Sequence, residues 1–365
     1  MKSADFKYES LKQWIIEGIR AGTFRHGDKL PSENFLCRKF GISRQTVRHA
    51  MADLSEGGLI KKVRGSGSYV QKQRPMGSSK TVGILVSHVD DYLFAQILNG
   101  VEEVLTSDGF GIDLGISNNS IELERKFLQR VLDTNMVGLI VEGTRSSLPN
   151  PNIELYEEMR RRDISIVFIH NYYENFPCAS VLMDDIAMSR ELTGLLLKAG
   201  HKRIAGLFKG DDLQGPRRYT GYVEALRDAD IPVREELVGW FYSNYYDNIM
   251  LEMNLDHVVM NLAGYTAIVC YNDWIAEEVY KLYQQNNIKI PGDISLVSFD
   301  DIPLARYIAN GITSGQHPHK LLGIEAATRL LKMLREGIAA VPQQPRLMPY
   351  SISVRDSIKD IGETR

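Results

Sequence analysis

From residue 81 onward, short apolar runs alternate with amphipathic stretches. The runs are TVGILV (81–86), VGLIVEG (137–143), ISIVFI (164–169), RIAGLF (203–208), TAIVCY (266–271) and ISLVSF (294–299). Each is too short for a helix and too apolar to face water on one side, as befits a strand buried in a parallel sheet. Segments 95–107, 121–134, 186–199, 218–229, 274–286 and 321–336 read as helices. This alternation predicts a doubly wound α/β architecture in two lobes, with one large open sheet as the other solution of the same pattern.

The first 70 residues follow a different pattern. Leu11, Trp14, Ile15, Gly18 and Ile19 put one apolar face on a first helix. A second starts at Pro31-Ser32-Glu33, with Ser32 as its N-cap and Phe35, Leu36 and Phe40 facing inward. Gly41 supplies the left-handed turn that ends it. Ser43 caps a third helix with Val47, Ala50, Met51 and Leu54 on its inner face. Helix, three-residue turn, helix is the spacing of a helix-turn-helix. The segment LIKKVRGSGSYV (59–70) then reads as a basic hairpin with a flexible tip, which makes the module winged. Polar QKQRPMGSSK (71–80) reads as a linker, giving domains at 1–70 and 81–365.

Charge sharpens this division. The whole chain of 365 residues carries a formal −3, which argues against a polyanion partner. Residues 1–74, however, hold 15 Lys+Arg and 7 Asp+Glu, while the remainder holds 28 and 39. A basic module on an acidic body points to nucleic acid for the first part alone. The outer face of the third helix carries Arg44, Gln45, Arg48 and His49, where side chains of a recognition helix meet base edges. Arg pairs with guanine and Gln with adenine in the major groove. Arg64 charges the wing, and Gly65 and Gly67 let its backbone approach phosphates or the minor groove. No GK[ST] follows those glycines, so they do not form an ATP phosphate loop.

The stretch KLPSENFLCRKFGISRQTVRHAMADLSEGGLIKKVRGSGSYV resembles the winged-helix domain of GntR-type bacterial regulators, over about residues 5–71. The resemblance implies DNA contacts from Glu33, Arg44, Gln45 and Arg48, with Gly67 at the wing tip. Position 45 varies in that family, which leaves its base preference open.

Two-lobed α/β domains bind ligands where strand ends face a cleft. The residues after the apolar runs form a coherent set. They include Ser87, His88, Asp90, Asp91, Tyr92 and Phe94, then Glu142, then His170, Asn171 and Tyr172. Asp211, Asp212, Gln214 and Arg218 follow, then Asn272, Asp273, Asp300 and Asp301, and finally Gln316 and His317. Planar polar groups beside aromatic rings suit a sugar, because they pair with vicinal hydroxyls while a ring covers its C–H face. Some strand-end carboxylates serve only as helix caps, and Asp185, Asp273 and Asp301 are the candidates for that role.

VLMDDIAMSRELTGLLLKAGHKRIAGLFKGDDLQGPRRYTGYVEAL, CYNDWIA and ISLVSFDDIPLA resemble the LacI-type regulatory core over about residues 80–355. That core is similar to periplasmic sugar receptors and dimerises through its lobes. The resemblance implies Arg218, Asn272, Asp300 and His317 as effector ligands, with His170 and the aromatics Tyr92 and Phe94 alongside. Glu142 and Gln214 join them as strand-end residues. The linker lacks the Ala-rich hinge helix of LacI-type proteins, so no minor-groove hinge contact is implied. A GntR-type reader on a LacI-type core is the arrangement of the bacterial arabinose-utilisation repressors, which FKGDDLQGPRR and ITSGQHP also resemble. It implies a homodimeric repressor on palindromic double-stranded operator DNA, with L-arabinose as effector and no cofactor.

Enzyme chemistry finds little support. Asp184/Asp185 and Asp300/Asp301 are sequence neighbours and do not form the facing carboxylate pair of a glycosidase. No GxSxG occurs. Cys37, Cys178 and Cys270 lie in or beside apolar runs and form no CxxC. His317-Pro-His319 has no third metal ligand at a recognisable spacing, so no metal is expected. The runner-up is a sugar receptor or sugar-processing enzyme with an unrelated N-terminal appendage. No run of about 18 apolar residues exists and the first 20 residues lack a signal-peptide core, so a cytoplasmic protein without membrane contact is expected.

Overall fold

The computed structural model describes residues 3–20, 23–24, 27–56, 59–63, 66–70, 80–89, 92–134, 136–243, 259 and 264–362, with the side chains of 3–6, 20, 56 and 92 outside that description. The chain forms two compact units, residues 1–78 and 79–365. The proposed linker, 71–80, lies outside the described residues except for Lys80.

In the first unit, α1 (Ser3–Arg20), α2 (Glu33–Phe40) and α3 (Arg44–Glu56) precede an antiparallel hairpin of β1 (Ile60–Val63) and β2 (Gly67–Val70). The Ser32 hydroxyl accepts from the Phe35 amide at 3.3 Å, and Ser43 does the same for Thr46 at 3.1 Å. Gly41 ends α2 at φ 61°, where a Cβ would strain the chain. Leu11, Ile15, Leu36, Val47, Ala50 and Leu54 close a core that the hairpin completes through Ile60 and Val70. Phe35 departs from the sequence expectation. It is 44% exposed, because Leu36 takes the inward position and Phe40 packs edge-on to Trp14.

The second unit holds two six-stranded sheets, which settles the choice between two lobes and one sheet. Lobe one is built from β3 (Thr81–Val86), α4 (Tyr92–Ser107), β4 (Gly111–Ile116), α5 (Ile121–Asp133), β5 (Gly138–Val141), α6 (Ile153–Arg161), β6 (Ser165–Ile169) and β7 (Ala179–Met183). Lobe two follows with α7 (Asp185–Lys198), β8 (Ile204–Lys209), α8 (Gln214–Asp228), β9 (Val238–Phe241), β10 (Ala267–Cys270), α9 (Asp273–Gln285), β11 (Ser295–Asp300) and β12 (Thr313–Gln316). The chain then returns through α10 (His319–Glu336) and β13 (Pro345–Met348) to lobe one, and ends in lobe two at β14 (Ser351–Ser353). Three segments therefore cross between the lobes, after β7, β12 and β13.

Strand order is β13-β7-β6-β5-β3-β4 in lobe one, all parallel, and β14-β12-β11-β10-β8-β9 in lobe two, with only β14 antiparallel. Apolar clusters cover both faces of each sheet, as the unbroken Val/Ile runs require. Gly221 of α8 shows how tightly the layers meet. A Cβ there would lie 2.2 Å from the Ile186 carbonyl of α7. Cys178 and Cys270 are buried in these cores, and burial pushes the Cys178 thiol up to about 12. In each sheet the order reverses once, between β3 and β5 and between β8 and β10. Such switch points open a crevice at the carboxyl ends of the strands.

Candidate functional site

The two switch points frame a cavity of about 490 Å³ between the lobes, within the range of small-molecule sites, about 300–1,000 Å³. Lobe one contributes Glu142, one residue past β5, and His170, one residue past β6. The Glu142 carboxylate accepts from the Ser87 amide at 2.7 Å, from the Ser87 hydroxyl, and from His170 Nδ1 at 3.1 Å. Burial works against its charge, but His170 and Ser87 outweigh burial and hold the carboxyl at about 2. His170 adopts φ 62°, a left-handed conformation uncommon for a side chain of this size. Phe94 of α4 lies edge-on to it at 6.1 Å.

Lobe two contributes a buried cation. Arg218 stands on the second turn of α8, which begins at Gln214, four residues before the start read from the sequence. Its guanidinium donates to Asp185 at 2.9 Å and to the Tyr271 carbonyl, and it lies 3.6 Å from Asp300. It also stacks over the rings of Phe299, at 4.4 Å, and Tyr271, at 4.8 Å. Burial opposes its charge, but Asp185 and Asp300 raise its affinity for the proton above the usual arginine value. Asp212 accepts from Tyr271 Oη at 2.6 Å and pairs with Lys209 at 3.2 Å. His317 and His319 complete the wall on the segment crossing from β12, their rings stacked at 4.0 Å.

Eight of the nine residues expected in the cleft line this cavity: Phe94, Glu142, His170, Gln214, Arg218, Asn272, Asp300 and His317. Tyr92 opens α4, but its side chain lies outside the described residues, as do Asp90 and Asp91. Lys209, Trp274 and His319 line the cavity as well. Lys209 is the last residue of β8 and directly follows the run 203–208, so the strand-end rule covered its position although it was not singled out. Trp274 gave no signal, being one aromatic in the first turn of an ordinary helix. Asn171 clamps the Gly143 backbone through both ends of its amide, and Gln316 pairs with Asp301 and Ser353.

The three candidate caps are corrected. Asp184, not Asp185, caps α7, leaving Asp185 buried against Arg218. Asn272, not Asp273, caps α9, its Oδ1 accepting from the Ile275 amide at 3.0 Å. Asp301 caps nothing; its carboxylate takes Arg355, Ser353 and Gln316. Asp273 accepts instead from the Ile302 amide at 2.9 Å and the Ser314 hydroxyl at 2.8 Å. Burial, then the nearby Asp300 charge, push its carboxyl up to about 7. A raised folded value contributes stability in acid and loses it as pH rises through about 7. Asp273→Asn is therefore expected to flatten the fall in stability between about pH 4 and pH 8, read from denaturant unfolding across that range; an unchanged slope would contradict the assignment.

In the first unit, Arg44, Gln45, Arg48 and His49 are all exposed along one side of α3. Arg44 donates to Asn34 Oδ1 at 2.7 Å. Glu33 accepts from Arg48 at 3.0 Å and reaches Lys62 at 3.8 Å, so its carboxylate orients the cations of helix and wing. Gly67 begins β2 opposite Val63, at φ 129°, rather than occupying the tip itself. Arg64 and Gly65 lie outside the described residues.

Comparison with known proteins agrees with both units. Residues 7–70 match the bacterial regulatory proteins of the gntR family, and residues 193–358 match a periplasmic binding protein-like domain. The second unit also resembles the crystal structure of the transcription regulator CcpA of Lactococcus lactis, with TM-score 0.67 and 26% identity, over 76% of this chain and 99% of that one. A winged DNA reader joined to a two-lobed sensor cleft defines a sugar-responsive transcriptional repressor, not an enzyme. Two curated proteins align along most of the chain. The arabinose metabolism transcriptional repressor of Geobacillus stearothermophilus is 33% identical over 97% of this chain and 98% of its own length. Its namesake from Halalkalibacterium halodurans is 32% identical over 91% and 89%. The chain belongs to this family of arabinose metabolism transcriptional repressors.

Proposed function

We propose that this repressor takes L-arabinose in the cleft between its lobes and leaves its operator in response. The observation that carries the reading is the lining of the cavity. Ionised Glu142, the Arg218–Asp300 pair and the imidazoles of His170 and His317 face a space bordered by Phe94, Tyr271 and Trp274. Fixed polar groups of this kind select a sugar by its hydroxyl pattern, since an analogue lacking one leaves a buried group unpaired. The names of its relatives support arabinose among sugars of this size.

Arg44, Gln45 and Arg48 read base edges in this proposal, Glu33 holds Arg48, and Arg64 and Gly67 bring the wing to the backbone. The module comprises residues 1–70, and 71–80 joins it to the sensor of 81–365. The repressor acts as a homodimer on palindromic half-sites in the cytoplasm, two-fold symmetry matching the two readers to the operator. Sugar shifts the balance toward the conformation it binds better, and that conformation fits the operator less well.

A thermal-unfolding series against pentoses and hexoses tests the effector. Arabinose at one hundred times its dissociation constant is expected to stabilise the protein by about 2.7 kcal/mol. Stabilisation by a different sugar, with none from arabinose, would overturn the choice.

A further inference from the structure

Three histidines meet in the cleft from positions far apart in sequence. His170 leaves the end of β6, while His317 follows β12 and His319 opens α10. One ring nitrogen from each lies within 4.8 Å of the other two. Among the described residues, no other set of three His, Cys, Asp or Glu side chains converges in this way. All three side chains are deeply buried, His170, His317 and His319 belonging to residues that are 7%, 9% and 6% exposed. Yet His170 Nε2 and both ring nitrogens of His317 and His319 have no hydrogen-bond partner.

The partners set which nitrogens are available. His170 Nδ1 pairs with the Glu142 carboxylate, which leaves Nε2 as the ring nitrogen without a partner. A carboxylate behind a histidine whose far nitrogen is free is the support that metal-binding histidines use.

We propose that His170, His317 and His319 bind a divalent transition-metal ion of the zinc class inside the cleft. Imidazole ligands suit zinc, nickel or copper and discriminate against magnesium and calcium, which demand oxygen. Two adjustments are required. The nitrogens must close to about 3.3 Å from one another, as zinc–nitrogen bonds of about 2.0–2.1 Å in a tetrahedron dictate. One of the parallel rings of His317 and His319, now 6° from coplanar orientation, must also turn, since one ion cannot lie in both planes. His170 and His317 are also assigned to the sugar, so ion and effector compete for the same nitrogens, a consequence that rests on the proposed sugar reading.

Titrating the chelator-stripped full chain with zinc chloride alone, by calorimetry, tests the site independently of any sugar. One ion per chain is expected, lost in His319→Gln and weakened about 10- to 100-fold in Glu142→Gln, which keeps all three ligands. Metal-free unfolding curves show whether those variants are folded, and the wild-type titration decides the matter if they are not. Absence of zinc binding to the wild type, or equal binding by a folded His319→Gln/His170→Gln double variant, would overturn the site. Arabinose affinity measured with and without zinc, against a calcium control, is expected to fall with zinc only; an unchanged value would overturn the competition. A protein that binds zinc but no arabinose refutes the effector reading and leaves the metal site standing.

Discussion

Replacing Arg218 by alanine is expected to destabilise the sensor unit by about 3–5 kcal/mol and to abolish its response to sugar. Arg218 has no solvent to fall back on, being 2% exposed, and it is the cation that both Asp185 and Asp300 face. Its removal leaves two carboxylates in a buried site and frees the Tyr271 carbonyl. Asp185, whose burial already raises its carboxyl against the pull of Arg218, then takes up a proton to stay inside. The paired variant Arg218→Met/Asp185→Asn separates the two roles. It is expected to recover the part of the stability lost at Asp185, since only the Asp300 charge then faces the apolar side chain, while sugar binding stays lost. Denaturant unfolding with and without sugar measures both. A loss below about 1 kcal/mol for the single variant, or sugar binding retained in the pair, would contradict the role given to Arg218.

Arg44→Ala is expected to act in the opposite unit with the opposite signature. Arg44 is exposed on α3 and donates to the Asn34 side chain, so stability changes by no more than about 0.5 kcal/mol. A bidentate base contact contributes about 1–3 kcal/mol of discrimination, and operator affinity is expected to fall roughly tenfold to a hundredfold per half-site. Lys62→Ala provides the contrast. A phosphate contact there weakens binding to all sequences alike and reduces the salt slope by about one. Fluorescence anisotropy against operator and scrambled duplexes distinguishes these outcomes, and equal losses on both duplexes for Arg44→Ala would remove it from base reading.

The apolar runs announced six central strands, β3, β5, β6, β8, β10 and β11, because burial on both faces leaves no room for polar residues, but β7, buried throughout, was missed. Edge strands announced nothing. β4 is broken by Asp113 and Gly115 and leaves Leu114 and Ile116 exposed, and β13 begins with Pro345 and is mostly exposed. β12 is the instructive omission. Its residues are Thr313, Ser314, Gly315 and Gln316, and it is buried because its hydroxyls are satisfied. Ser314 donates to Asp273, and Thr313 donates to the Arg355 carbonyl from a distant segment. No local pattern encodes such partners.

The cleft was legible to the extent that strand ends identify it. Glu142, His170, Arg218 and Asn272 all followed from strand-end position, the resemblance added an expected effector role for Arg218 and Asn272, and Asn272 proves also to cap α9. Asp185, Asp273 and Asp301 were candidate caps because a carboxylate at a strand end has the same sequence signature in either role. Which role it takes depends on a neighbour such as Arg218 or Ser314, brought up by tertiary packing. The histidine cluster was half visible, as His317-Pro-His319. Its third member stands 147 residues earlier than His317, and only the folding of both lobes supplies it.

Repression and induction are tied together by linkage, which makes one measurement decisive. Whatever factor the sugar takes from operator affinity, the operator must take from sugar affinity. Arabinose binding to the free repressor is therefore to be compared with binding to the repressor saturated with its operator duplex. A weaker affinity on the operator, by the same factor that arabinose weakens operator binding, is the predicted result. Equal sugar affinity in the two states would contradict it.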